Sequence, residues 1–230
     1  MRRFIAFNIL ILVKFFSMVF YRAKYHWLDK IPQRPWKDIR LMILLNHTSL
    51  FEPLFIQILP IWYLWHLSGH FSLPGADITL NRLFVGRFWK LMIPNISPIT
   101  RKKDASWDNY LCSIRPNDVV IIAPEGRMKR PGGRDKFGKP MTVRAGVADI
   151  IQNLNNGHIL ICLSGGLHHV QAPGQHFPRL FKKIQMNLSY IEVNSYKSHL
   201  PKGRRENKMA IVADLQRRLE NDCPTVVNPS

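Results

Sequence analysis

The chain has 230 residues, enough for one α/β domain with a full core and too few for two ordinary domains joined by a linker. Its 46% hydrophobic content excludes a disordered or collagen-like chain, and three cysteines exclude a disulfide scaffold. Lys and Arg outnumber Asp and Glu by 33 to 15, a formal net charge of +18. That excess points to an anionic partner such as nucleic acid, anionic headgroups or phosphorylated substrates, without choosing among them. Cys112, Cys162 and Cys223 are far apart and match no zinc spacing, as in a chain folded in a reducing compartment.

Phe4 to Phe20 is almost wholly apolar, broken by Asn8, Lys14 and Ser17 and flanked by Arg2-Arg3 and by Arg22 and Lys24. As a helix it would be about 25 Å long, a little short of the roughly 30 Å hydrocarbon core. Its polar residues do not share one face, as a helix lying in the membrane surface would require. No small-residue cleavage site follows. The segment reads as a retained membrane-anchoring helix with flanks suited to anionic lipid, the alternative being a helix packed on the domain's own core. Residues 1–30 are accordingly set apart as the anchor and 31–230 as the folded domain.

Lys30 to Asp38, with Pro32 and Pro35, reads as a linker. Ile39 to Leu45 is a continuous apolar strand of the kind covered on both faces. Pro53 to Leu59 is predicted helical, and Ile61 to Phe71, with Trp62, Tyr63 and Trp65, is either core or an interfacial aromatic belt. Leu80 to Met92 is predicted as a helix, and Asn95 to Thr100 as an extended segment delivering Arg101-Lys102-Lys103. A short helix from Asp104 to Ile114 precedes a turn and the strand Val119 to Ala123. A basic, glycine-containing loop, Glu125 to Pro140, leads to a helix from Thr142 to Asn155 closed by Gly157. Ile159 to Leu163 and Ile184 to Val193 are strands. A last helix, about Arg205 to Asn221, carries Met209, Val212, Leu215 and Leu219 on one stripe. Strands alternating with helices predict an α/β fold, a mostly parallel sheet flanked by helices, with ligands beyond the carboxyl ends of the strands.

Two strand ends carry chemistry. Asn46-His47 closes the first apolar run and Glu52 follows five residues after the histidine. Pro124-Glu125-Gly126-Arg127 closes the strand that begins at Val119. On a regular helix a five-residue spacing separates side chains by about 140°, so His47 and Glu52 meet only if His47 precedes the helix and Glu52 opens it. A carboxylate on one ring nitrogen would aim the imidazole and stabilise its charged form, leaving the other nitrogen to take a proton. The bland alternative is a capping box, Ser49 to Glu52, which merely satisfies a helix N-terminus. His168-His169 with His176 lack the carboxylate or cysteine partners of a metal site, and no metal is expected.

In these residues the chain resembles the glycerolipid acyltransferase superfamily that includes lysophosphatidic acid acyltransferase. Asn46-His47-Thr48-Ser49-Leu50-Phe51-Glu52 is similar to its first motif, with Glu in place of Asp. Asn95-Ile96-Ser97-Pro98-Ile99-Thr100-Arg101 is similar to its second. Pro124-Glu125-Gly126 matches its third, after which Arg127 stands for Thr and Met128 for Arg. Ile159 to Ser164 matches the fourth loosely, lacking its proline. The resemblance covers roughly residues 40 to 170. It implies acyl transfer from a thioester, acyl-CoA or acyl carrier protein, to a hydroxyl of a lysophospholipid-type acceptor, with no cofactor. His47 would be general base and Glu52 its orienting acid, while Arg101, Glu125, Gly126 and Arg127 would form the substrate-binding set. The backbone at Gly126 would be a candidate oxyanion donor. Membrane lipids, the thioester donor and the lysolipid are the expected partners, at a membrane and on its cytoplasmic side. The alternatives are a nonenzymatic basic nucleic-acid-binding protein, against which the apolar amino terminus weighs, and an inactive lipid-binding member of the superfamily.

Overall fold

The computed structural model describes residues 1–31, 33–81, 83–100, 104–130 and 132–227. Helix α1 (Arg2–Phe20) runs into strand β1 (Arg22–Trp27), and β2 (Ile39–Leu45) follows. A 3-10 segment, Glu52–Ile58, and α2 (Ile61–His70) precede β3 (Phe71–Ala76), α3 (Asp77–Leu80), α4 (Leu83–Met92), β4 (Asn95–Ile99) and α5 (Ser106–Ser113). Then come β5 (Val119–Ile122), α6 (Gly146–Asn153), β6 (His158–Gly165), α7 (Leu167–Val170), β7 (Lys183–Glu192), α8 (Val193–Ser198) and α9 (Arg204–Asn221). The seven strands form one sheet in the order β1-β7-β6-β2-β5-β3-β4, parallel throughout except between β6 and β7. This is the expected mostly parallel sheet with helices on both faces.

β2 shows why its sequence is apolar without interruption. Leu41, Ile43 and Leu45 face a core built with α6 and α9, whereas Met42 and Leu44 face a second core built with α1, the 3-10 segment and α2. Both faces are covered, so neither face can carry a polar residue cheaply. Burying such a side chain is worth about 1.5–3 kcal/mol, which ties β2 to the centre of the sheet.

Helix α1 packs on the domain along one face and leaves an apolar face outward. Ala6, Leu10 and Ser17 are buried against the domain. The Lys14 ammonium donates to the carbonyls of Gln57 and Leu59, and the Ser17 hydroxyl to that of Leu54. Two of the three polar interruptions are therefore turned inward to satisfy carbonyls around the 3-10 segment. Phe4, Leu12, Phe15, Met18 and Val19 remain exposed. A helix bonded to its domain in this way lies along it. Residues 22–27, within the segment set apart as the anchor, also pair with β7, so the sheet begins before residue 31.

Several elements differ from expectation. β1 and β3 were not predicted: β1 is an edge strand whose residues alternate exposed and half-buried, and β3 contains Pro74 and Gly75. Pro74 is tolerated because β3 pairs with β5 only at Phe71 and Ser72, leaving Pro74 with one ladder neighbour, β4. The helix expected from Leu80 to Met92 begins at Leu83 as α4, Leu80 being the last residue of α3, and that expected from Thr142 begins only at Gly146. Residues 141–145 are instead loop, held by the Arg144 amide donating to Pro124 O at 3.0 Å. In α9 the buried stripe is Ile211, Leu215 and Leu219, and Met209 faces out.

Candidate active site

Strand register assembles the site. Ile43 lies opposite Ile122 of β5, and Leu45 opposite Leu163 of β6, so continuing each register sets Asn46 between Glu125 and Ser164. Asn46 adopts a left-handed conformation (φ 66°), which turns the chain sharply off the strand, and Asn is among the few side chains that accept it readily. Its Nδ2 donates to Ser164 O at 2.7 Å, while the Ser164 hydroxyl reaches the carbonyls of Leu45 and Asn46 at 3.2 and 3.1 Å.

From this turn His47 projects towards Glu52, and Nδ1 lies 2.7 Å from Oε1. A carboxylate only accepts, so the contact places the proton on Nδ1 and leaves Nε2 as a lone-pair acceptor. The capping-box alternative does not form. Glu52 opens the 3-10 segment, no side chain caps that segment, and Ser49 Oγ accepts from Phe51 N–H at 3.4 Å. Proline at position 53 cannot donate the bond a capping box would organise, and Glu52 is free to turn back to the ring. Burial opposes protonation of His47, but the charge and hydrogen bond of Glu52 and the charge of Glu125 outweigh it and raise its pKa.

Glu125 lies behind the histidine instead of facing substrate. It is 2% exposed and accepts the Asn46 amide at 2.6 Å and the His47 amide at 3.1 and 3.3 Å. Burial pushes its carboxyl up, and the two amides with the charges of His47 and Lys129 pull back only part of that shift. Glu125 was expected in the substrate-binding set; here its carboxylate is taken up by these two backbone amides. Gly126 turns the chain with φ 67°, and its amide donates to Ala123 O at 3.0 Å. That N–H closes a turn, which removes it as an oxyanion donor. Arg127 is also committed: its guanidinium pairs with the buried Asp135 and lies 5.0 Å from the Phe137 ring centroid. Burial works against ionised Asp135, but the amides of Lys139 and Phe137 together with Arg127 hold its carboxyl down at about 2. Arg101 lies outside the described residues.

A cavity of about 520 Å³ opens beside His47 and Glu52. It is lined by apolar residues that include Leu10 of α1, Met42 of β2, Trp89 of α4, Cys162 of β6 and Met186 of β7. Gly126 and Arg144 lie at the same lining. Arg144, Asn46 and Ser164 were missed as site residues in the sequence. The Asn-His pair itself was the available signal for Asn46; Arg144 lay inside a segment read as helix and gave none. His169 is held by Val226, its Nε2 donating to that carbonyl at 3.0 Å.

A partly buried His–carboxylate pair thus lies at the carboxyl edge of a mostly parallel sheet, beside an apolar cavity. The 1-acyl-sn-glycerophosphate (LPA) acyltransferase PlsC from Thermotoga maritima shares this fold, with a TM-score of 0.55 over 92% of this chain and 78% of that one. The two are 15% identical, so the likeness is one of fold. No family model matches the chain, and no curated protein matches it significantly in sequence.

Proposed function

We propose that this chain is an acyltransferase that moves a fatty acyl group from a thioester, acyl-CoA or acyl carrier protein, to a hydroxyl of a lysophospholipid-type acceptor. The observation that carries the reading is the 2.7 Å bond between His47 Nδ1 and Glu52 Oε1 at the wall of an apolar cavity. His47 Nε2 takes the proton of the acceptor hydroxyl as its oxygen attacks the thioester carbonyl. The tetrahedral intermediate collapses, the C–S bond breaks, and the imidazolium returns the proton to the departing thiolate. Atoms and charge balance without an enzyme-bound acyl group or a cofactor. General-base assistance of this kind contributes on the order of 10²- to 10⁴-fold, and holding the two substrates in register supplies much of the remainder. The apolar cavity suits an acyl chain, whose burial needs no hydrogen-bond partners.

Membrane lipids are the expected surroundings. The outward residues of α1, Phe15 and Met18 among them, join exposed Ile61, Trp62 and Trp65 of α2 and Phe88 and Leu91 of α4. These helices pack against one another, so their exposed side chains offer a lipid-facing surface on the same layer that roofs the cavity. Free Cys112, Cys162 and Cys223, and donors made in the cytoplasm, favour the cytoplasmic side.

The test is acyl transfer by purified protein from labelled acyl-CoA and acyl carrier protein to a panel of lysolipids. Wild type should form product, and His47→Ala should lose it while keeping the wild-type circular dichroism spectrum. Wild-type turnover by His47→Ala would remove the base from the mechanism.

A further inference from the structure

We propose that the loop between α7 and β7, at residues 176–183, inserts into the surface of an anionic lipid bilayer, so that the sheet edge carrying His47 and Glu52 faces the membrane. The inference concerns how the molecule sits and stands whatever reaction it performs. The loop reads His176-Phe177-Pro178-Arg179-Leu180-Phe181-Lys182-Lys183. Phe177 is 84% exposed and Phe181 70%, and Leu180 is exposed between them. Three large apolar side chains within five residues, uncovered and interleaved with cations, form the pattern of an interfacial contact.

The loop is held in a shape that keeps these side chains uncovered. The Arg179 amide donates to Val170 O at 2.7 Å, the Phe181 amide to Phe20 O at 2.8 Å, and the Arg22 amide to Lys182 O at 3.4 Å. These bonds tie its backbone to α7, to the end of α1 and to the start of β1. Phe181 adopts φ 60°, in the left-handed region that an aromatic residue rarely enters. Gly or Asn would relieve that strain, and packing in the core does not explain the ring, because the ring is exposed. What the position keeps is an outward aromatic.

The place of the loop in the fold identifies what covers it. β7 begins at Lys183 opposite Arg22 of β1, and Gln185 lies opposite Gly165 at the end of β6. Ser164, one residue earlier, accepts from the Asn46 side chain beside His47. The loop therefore rises from the same edge of the sheet as the site. It also continues the outward face of α1: the Phe181 ring lies 5.8 Å from that of Phe20, which lies 4.7 Å from that of Phe16. Arg179 of the loop and Arg22 and Lys24 of β1 are exposed cations beside this aromatic row. An acidic soluble partner would answer the cations alone. Anionic headgroups lying over acyl chains answer the cations and the aromatic row together.

The depth of the loop in lipid can be measured directly. Full-length protein carries a bimane dye at Phe177→Cys in a Cys112→Ser background, and the Cys112→Ser parent corrects for dye on Cys223. Wild type labelled at exposed Cys112 is the control, since α5 leads into the amino end of β5, at the opposite edge. Vesicles contain phosphatidylcholine brominated on its acyl chains, with or without phosphatidylglycerol. Anionic vesicles should quench the dye at position 177 at least roughly threefold more than the dye at Cys112. Phe177→Ser with Phe181→Asn should lower vesicle partitioning roughly fivefold, with Tm unchanged or raised because Asn accepts the left-handed backbone. Arg179→Gln should weaken partitioning into anionic vesicles about twofold and leave that into neutral vesicles unchanged. Equal quenching at the two positions, or wild-type partitioning by the double variant, would overturn the proposal. So would equal quenching by neutral and anionic vesicles, or burial of the dye by self-association without lipid.

Discussion

Replacing Glu125 by Gln separates positioning from substrate binding. The carboxylate accepts the Asn46 amide at 2.6 Å and the His47 amide at 3.1 and 3.3 Å in a site only 2% exposed. Gln keeps one oxygen for Asn46 but turns its amide nitrogen towards the His47 N–H, two donors with no acceptor between them. Losing a hydrogen bond to a charged group costs about 1.5–3 kcal/mol, and a buried unsatisfied amide about 1–3 kcal/mol more. Burial already disfavours the ionised Glu125, so the amide recovers part of that loss, and a net cost of about 2–4 kcal/mol follows. For a chain of this length that lowers Tm by roughly 5–15 °C. The Glu52 bond survives, so the ring stays aimed while its backbone loosens, and kcat should fall about 10- to 100-fold with acceptor KM within about twofold. Thermal unfolding followed by circular dichroism, with steady-state kinetics over acceptor concentration, reads both quantities. A raised KM with kcat intact would mean that Glu125 grips substrate, and the positional argument would be wrong.

Because Glu52 and Glu125 together raise the His47 pKa, the neutral base forms only above its ordinary value of 6.5, and kcat/KM should climb through a midpoint above that pH. The stability contributed by this shift has the opposite sign: it is fully present below 6.5 and lost as pH rises through the folded pKa. A kcat/KM midpoint at or below 6.5 would contradict the pairing. Met186→Trp puts bulk into the cavity from β7 and should shift the preferred acyl donor towards shorter chains, measured with a series of acyl-CoA lengths; an unchanged profile would place the chain elsewhere. Phe15→Glu with Trp62→Glu should reduce co-sedimentation with anionic vesicles several-fold with little change in Tm, since both side chains are more than half exposed.

The parts legible in the chain are those that depend on neighbours in sequence. The apolar run of β2, its abrupt end at Asn46-His47 and the return of Glu52 within five residues are local, and so the meeting of His47 with Glu52 could be expected directly. α1 was legible as an apolar helix, with anchoring and packing on the domain both left open, because the carbonyls that take up Lys14 and Ser17 belong to residues about forty positions away. The placement of Glu125 and Arg144 needed the sheet. Only the β2–β5 register sets Glu125, 79 residues on, against the Asn46 amide, and only the loop returning past Pro124 lays Arg144 over Gly126. Arg127 and Arg144 carry the same charge in the sequence; what separates them is a buried aspartate beside one and a cavity beside the other. Charge can be counted along a chain, but whether a charge is spent or available depends on what folding places next to it.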